Sequence, residues 1–237
     1  MSIHRRLVVL SLSALLVAGC GGSGTKDAAT TTTVTSKDLT NPASTNPSKT
    51  RAAKAAVLKQ SDFPAGWKLQ DPQDGLDVET MWRDLTRCLG VERKGRPLGL
   101  ATSGTYLQNL ATQTRSTVEY MPTSAIKAVS AALAGPKFND CATKAFTADT
   151  IRNAPDGGTP GPVTVTPLTF APLGQSTSAS RANVTMTLGD LPVPINQDLI
   201  VVFNGQAVTR MMFLNPGRPF PPDLQRSLVQ QVVGRAT

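Results

Sequence analysis

The chain has 237 residues, with 24 basic against 16 acidic side chains, three cysteines, a single histidine and 5% aromatic residues. That length fits one ordinary domain with extensions, and a net charge of +8 favours anionic partners over cationic ones. The one histidine is His4, so any chemistry built on Ser-His-Asp, on Cys-His or on a histidine-bearing zinc site has almost nothing to draw on.

Taken in chain order, Arg5 and Arg6 precede an apolar run, Leu7–Ala18, which small residues follow. This is the layout of a secretory signal, and the run is too short for a membrane-spanning helix, which needs roughly 20 residues. The string Val17-Ala18-Gly19-Cys20 is similar to the lipobox of bacterial lipoproteins. That resemblance implies cleavage after residue 19 and a diacylglyceryl (palmitate-bearing) anchor on Cys20. The protein is then expected on the extracytoplasmic side of the cell membrane, and His4 is lost with the signal. Residues 20–50, rich in Gly, Thr, Ser, Asn and Pro, cannot bury enough apolar surface to stay ordered. They read as a tether reaching roughly 30 Å, and residues 51–237 read as a single domain.

Removal of Arg5 and Arg6 leaves 22 basic against 16 acidic side chains, a net +6. The local excess lies in "RDLTRCLGVERKGR", where Arg83, Arg87, Arg93, Lys94 and Arg96 outnumber Asp84 and Glu92. Such a stretch suits anionic lipid heads or cell-wall phosphates, or is simply a solvated surface. Nucleic acid is not expected, since no aromatic platform interleaves these charges.

Arg51–Gln60 is expected to be a short helix, broken by "SDFPAGW". Val78–Leu89 is the next helix, with Met81, Trp82, Leu85, Cys88 and Leu89 along one side. Thr105–Asn109 and Thr112–Tyr120 read as strands, the second with Val118 and Tyr120 inward and Arg115, Thr117 and Glu119 toward solvent. A helix over Ser124–Ala134 capped by Thr123 follows, then one entered at Pro136 with Phe138, Cys141, Ala142 and Ala145 on a common face. Cys88 and Cys141 thus lie on apolar faces of separate helices. In an oxidising compartment they form one bridge between those helices; the other reading is two buried thiols.

After a Gly/Pro-rich loop, "VTVTPLTF" and "SASRANVTMTL" alternate as strands, and "INQDLIVVFNGQAVTRMMFL" reads as a hairpin turning at Asn204-Gly205. "PPDLQRSLVQQVVGR" closes the chain as a helix with Leu224, Leu228 and Val232 on one stripe. The fold class is therefore α+β: an antiparallel sheet of five or six strands packed with several helices and one disulfide.

No catalytic set emerges. Ser124-Ala-Ile-Lys127 fits S-x-x-K, but no S-D-N or K-T-G partner follows, and a surface serine and lysine explain it. No phosphate loop, dinucleotide fingerprint or metal-ligand spacing occurs, and neither an enzyme nor a cofactor is expected. The hairpin raises a different question, because both of its faces are apolar. Either helices cover both, or one face lines a cavity for an apolar or amphiphilic ligand through Leu199, Val201, Phe203 and Val208. In the second case Arg210 meets a head group at the mouth; in the first it snorkels past its neighbours.

The segment "VLKQSDFPAGW", the two cysteine helices and the closing "NGQAVTRMMF" with its helix resemble a group of actinobacterial exported proteins. The group includes lipoproteins and the extracellular sensor domains of PknH-type receptor kinases. The resemblance implies an α+β binding domain with a groove rather than a catalyst. The function expected is thus that of a lipid-anchored, non-enzymatic envelope protein with a lipid or cell-wall ligand; the alternative is a sensor or interaction module that docks another envelope protein and has no ligand cavity.

Overall fold

In a computed structural model of the chain, the described residues are 44–70, 76–93, 96–109 and 111–237. The signal, Cys20, most of the expected tether and Lys94 lie outside them.

The first helix, α1, spans Pro47–Ala56 rather than starting at Arg51. Asn46 caps it, its Oδ1 accepting from the backbone amides of Ser48 (3.0 Å) and Lys49 (3.2 Å), and Pro47 takes the first turn. An asparagine followed by proline is a helix start, and it draws the end of the supposed tether into the fold. The remaining helices are α2 (Val78–Cys88), α3 (Thr123–Leu133), α4 (Phe138–Arg152) and α5 (Pro222–Arg235). Asp77 caps α2 by accepting from the Thr80 amide at 3.0 Å. Thr123 is the first residue of α3 and not its cap, which is Pro122.

The strands are β1 (Lys68–Leu69), β2 (Gly99–Thr102), β3 (Tyr106–Gln108), β4 (Thr112–Tyr120), β5 (Gly158–Pro160), β6 (Thr164–Pro167), β7 (Ser176–Leu188), β8 (Leu191–Asn204) and β9 (Ala207–Pro216). They form one antiparallel sheet in the order β1-β3-β4-β9-β8-β7-β5, with β2 beside β4 and β6 beside β7. The sheet exceeds the expected five or six strands by three short ones, β1, β2 and β5, of two to four residues each. Segments so short carry no readable alternation; pairing to a longer neighbour makes them strands.

The central hairpin turns one residue later than expected. Asn204 pairs with Ala207, so the turn residues are Gly205 and Gln206, with Gly205 at a φ of +59°. Glycine at the first turn position gives the type II′ geometry in place of type I′. Cross-strand partners shift by two residues, which leaves every side chain on its expected face.

Helices cover both faces of that hairpin. On one side Leu199, Val201, Phe203, Val208 and Met212 meet Leu85, Ile126 and Phe146 of α2, α3 and α4. On the other, Ile200, Val202, Met211 and Phe213 meet Ala53 of α1 and Leu228 and Val232 of α5. Each such fully buried side chain contributes about 1.5–3 kcal/mol. The Cys88–Cys141 bridge joins α2 to α4 across a Cα separation of 5.5 Å, as the sequence led us to expect.

Candidate functional site

The expected ligand-lining residues of the hairpin are core. Leu199, Val201, Phe203 and Val208 are each no more than 2% exposed, packed under α2, α3 and α4. Of these, Phe203 also reaches the floor of a shallow depression beside Ile126 and Ser130.

Arg210 is sealed from solvent and neutralised from within the protein. Its Nη1 donates to Glu119 Oε2 and its Nη2 to Glu79 Oε1, both at 2.7 Å, and its guanidinium lies 4.9 Å from the centre of the Trp82 ring. Burial pulls the guanidinium pKa down, but the charges of Glu79 and Glu119 outweigh it, and the net displacement is upward. The expectation that Arg210 meets a head group at a cavity mouth is thereby corrected, because its two terminal nitrogens are already committed to carboxylates.

Glu119, expected at the surface, is buried instead. It accepts from two arginines, Arg210 at Oε2 and Arg93 at Oε1. Alternation along β4 suggested a wetted face, but α2 covers that face and brings Glu79 and Trp82 with it. A charged residue tolerates burial when partners surround it.

This charge cluster forms the wall of a cavity of about 230 Å³. Glu79, Trp82, Arg83 and Thr86 reach it from one stripe of α2, at helical spacing, and Glu119 and Met121 from the end of β4. A second cavity, of about 280 Å³, lies between Arg96, Pro97 and the Ala125–Ala128 side of α3. The two share Val91, Glu92, Arg93, Met121 and Val129.

The chain's three glutamates, Glu79, Glu92 and Glu119, all line the first cavity, and each is matched by an arginine. Arg87 grips Glu92 with two hydrogen bonds (2.9 and 3.2 Å), which hold that carboxyl below its ordinary range. Among the described residues, Arg83 and Arg96 have no carboxylate partner; Arg83 donates only to the Thr80 hydroxyl, at 3.3 Å. The lining of the two cavities holds three glutamates and three arginines, Arg83, Arg93 and Arg96, and Arg87 and Arg210 behind it tip the local balance to positive, beside an apolar lining of Trp82, Val91, Met121 and Val129. An amphiphile with an anionic end meets both requirements.

Sequence reasoning named Arg83, Arg93 and Arg96 as a basic stretch and Trp82 as a core position, but it did not bring them together. The readable signal was the helical spacing of Glu79, Trp82, Arg83 and Thr86. Among the described residues, no group of three or more His, Cys, Asp or Glu side chains is placed to hold a metal ion, and no helix is long and apolar enough to cross a membrane.

No protein-family model matches the chain. No curated protein matches its sequence. Among solved structures it is similar to LpqN of Mycobacterium tuberculosis, a protein involved in cell envelope biogenesis, at 12% identity over 71% of this chain and 73% of that one, with a TM-score of 0.26. It is also similar to PA94 of Pseudomonas aeruginosa, a protein of unknown function, at 8% identity over 52% of this chain and 72% of that one, with a TM-score of 0.24. Likenesses of this degree do not bear on the site.

Proposed function

We propose that the chain is an exported, membrane-tethered protein without catalytic activity, whose folded part binds an amphiphilic molecule at the cell envelope. The binding seat is the pair of cavities around Trp82 and Arg93. The observation that carries this reading is that each cavity sets an apolar wall beside one arginine, Arg83 in the first and Arg96 in the second, that has no carboxylate partner among the described residues. Export and tethering rest on the signal-like first 19 residues and on Cys20.

Two measurements test it. A brominated fatty acid added to residues 21–237 is expected to quench Trp82, which lines the first cavity. Trp67, the other tryptophan, lies in the opposite core cluster and serves as the control after Trp82→Phe. Unchanged Trp82 emission rejects the seat. Independently, Cys20→Ser is expected to move the full protein from the detergent to the aqueous phase on partitioning, and unchanged partitioning rejects the anchor.

A second reading, docking to another envelope protein, has one observation in its favour. Leu188 and Leu191 pair at the tip of the β7–β8 hairpin and are 39% and 70% exposed. Leu191→Asp would abolish such docking in a crosslinking assay and leave amphiphile binding unchanged.

A further inference from the structure

We infer that Arg93 is a movable partition between the two cavities, and that it leaves Glu119 to take the anionic head of a single-chain amphiphile, a carboxylate or phosphate monoester. The inference rests on the amphiphile reading above and adds to it the head-group chemistry and the residue that reads it.

Arg93 is common to both cavities, together with Val91 and Met121. Separately, at about 230 and 280 Å³, each falls short of the roughly 300–1,000 Å³ typical of ligand pockets. With the Arg93 side chain swung aside, the two become one slot within that range, walled by Trp82, Met121 and Val129.

The charge arrangement permits this motion for Arg93 and forbids it for Arg210. Glu119 has two cationic partners, so the departure of Arg93 still leaves its Oε2 bonded to Arg210 Nη1 at 2.7 Å. Arg210 is fully enclosed, whereas the Arg93 side chain retains 28% of its exposure and has a path to solvent. In its present position Arg93 also keeps its Nε buried with no hydrogen-bond partner. Turning outward relieves that cost and frees a planar fork of donors, the geometry that grips a carboxylate or phosphate through two parallel bonds. Arg83 and Arg96, one on each cavity and neither bound to a carboxylate among the described residues, are the charges left over once Glu92 is matched by Arg87 and Glu79 and Glu119 by Arg210, and they favour an anion there.

The test uses residues 21–237 at pH 8 with four probes: dodecanoate, dodecyl phosphate, dodecanol and inorganic phosphate. Binding is followed by Trp82 emission and calorimetry. The wild-type protein is expected to bind both dodecyl anions at least tenfold more tightly than dodecanol, and inorganic phosphate far more weakly than dodecyl phosphate. Arg93→Gln is expected to erase the preference for anions, weakening both by tenfold or more, with dodecanol binding unchanged or improved. Dodecanoate and dodecanol bound equally by the wild type, at low salt as well as high, overturns the inference without recourse to a variant and leaves the cavity reading standing. An anion preference that survives in Arg93→Gln also overturns it. Inorganic phosphate binding as tightly as dodecyl phosphate overturns the single-chain part, since the slot then contributes nothing. Failure of all three dodecyl probes removes the cavity reading itself, and this inference with it.

Discussion

Arg210 and Glu119 stand one diagonal step apart on neighbouring strands, Arg210 opposite Thr117, with 2.7 Å between Nη1 and Oε2 and both side chains closed to solvent. A buried pair of this kind is costly to break from one side, because the surviving charge loses its partner while it stays out of water. Arg210→Met is therefore expected to lower the unfolding free energy by about 3–5 kcal/mol. Adding Glu119→Gln and Glu79→Gln to it should recover part of that loss. Urea titrations of the single and triple variants check this, and a single variant as stable as wild type would refute the buried network.

The Cys88–Cys141 bridge closes a loop with a sequence separation of 53. In the chain-entropy description a loop of that length restrains the unfolded state by about 4 kcal/mol. Replacing both cysteines with serine is expected to lower stability by up to that amount. Denaturant unfolding measures the loss, and peptide mass spectrometry without reductant should recover residues 88 and 141 in one linked fragment.

Asp149 gives the protein an unusual response to pH. Its carboxyl is buried, and despite hydrogen bonds from Gln197 (3.0 Å) and Asn153 (3.1 Å) burial pushes its pKa above the ordinary 3.8. Between the ordinary value and the raised one, the folded chain holds a proton that the unfolded chain has released. The stability tied to that proton is present in acid and is lost as pH rises from the unfolded value through the raised one. Asp62 acts in the opposite direction. Burial raises its pKa too, but two hydrogen bonds from Arg235 (2.8 Å each) and the Lys59 amide outweigh it, and the net shift is downward. Its contribution is present above 3.8 and lost as pH falls. Melting temperatures across pH 3–7 are expected to fall less steeply with rising pH in Asp149→Asn than in wild type, and less steeply with falling pH in Asp62→Asn. Parallel curves for all three proteins would contradict both assignments.

Gly99 fixes the approach of α1 to the sheet. A Cβ there would sit 2.6 Å from the Lys49 carbonyl oxygen, which is backbone and cannot rotate away. Gly99→Ala should displace the start of α1 and cost about 1–3 kcal/mol, the range for overpacking. Thermal unfolding and amide exchange across Pro47–Ala56 report it.

Where a segment's own pattern decided its structure, the sequence was legible. The bounds of β4 were read correctly and α2 within a residue; alternation puts Ala182, Val184, Met186 and Leu188 on one face of β7, and of these the first three are buried while Leu188, at the hairpin tip, is exposed. Glu119 was misread because strand alternation reports which residues differ from their neighbours, not what will cover them. Only α2, placed by tertiary packing, turns that face inward. Asp198 was passed over for a related reason. Within an apolar run it looks like an interruption, yet Arg181 clasps it with two bonds (2.6 and 2.7 Å) and Gln225 of α5 adds a third (2.8 Å). The cavities were invisible because their lining comes from α2, residues 91–93 with Arg96 and Pro97, β4 and α3, whose mutual distances no local pattern encodes.

The helix that covers Ile200, Val202, Met211 and Phe213 from one side, α5, follows all nine strands in the chain, and Tyr120 on β4 donates to the carbonyl of Ala236, one residue beyond the helix, at 3.1 Å. The sheet can therefore be paired throughout while that cover is still absent. A product shortened to end before Pro222 would keep every strand and leave one apolar face bare outside the part under α1, a surface prone to stick to its neighbours.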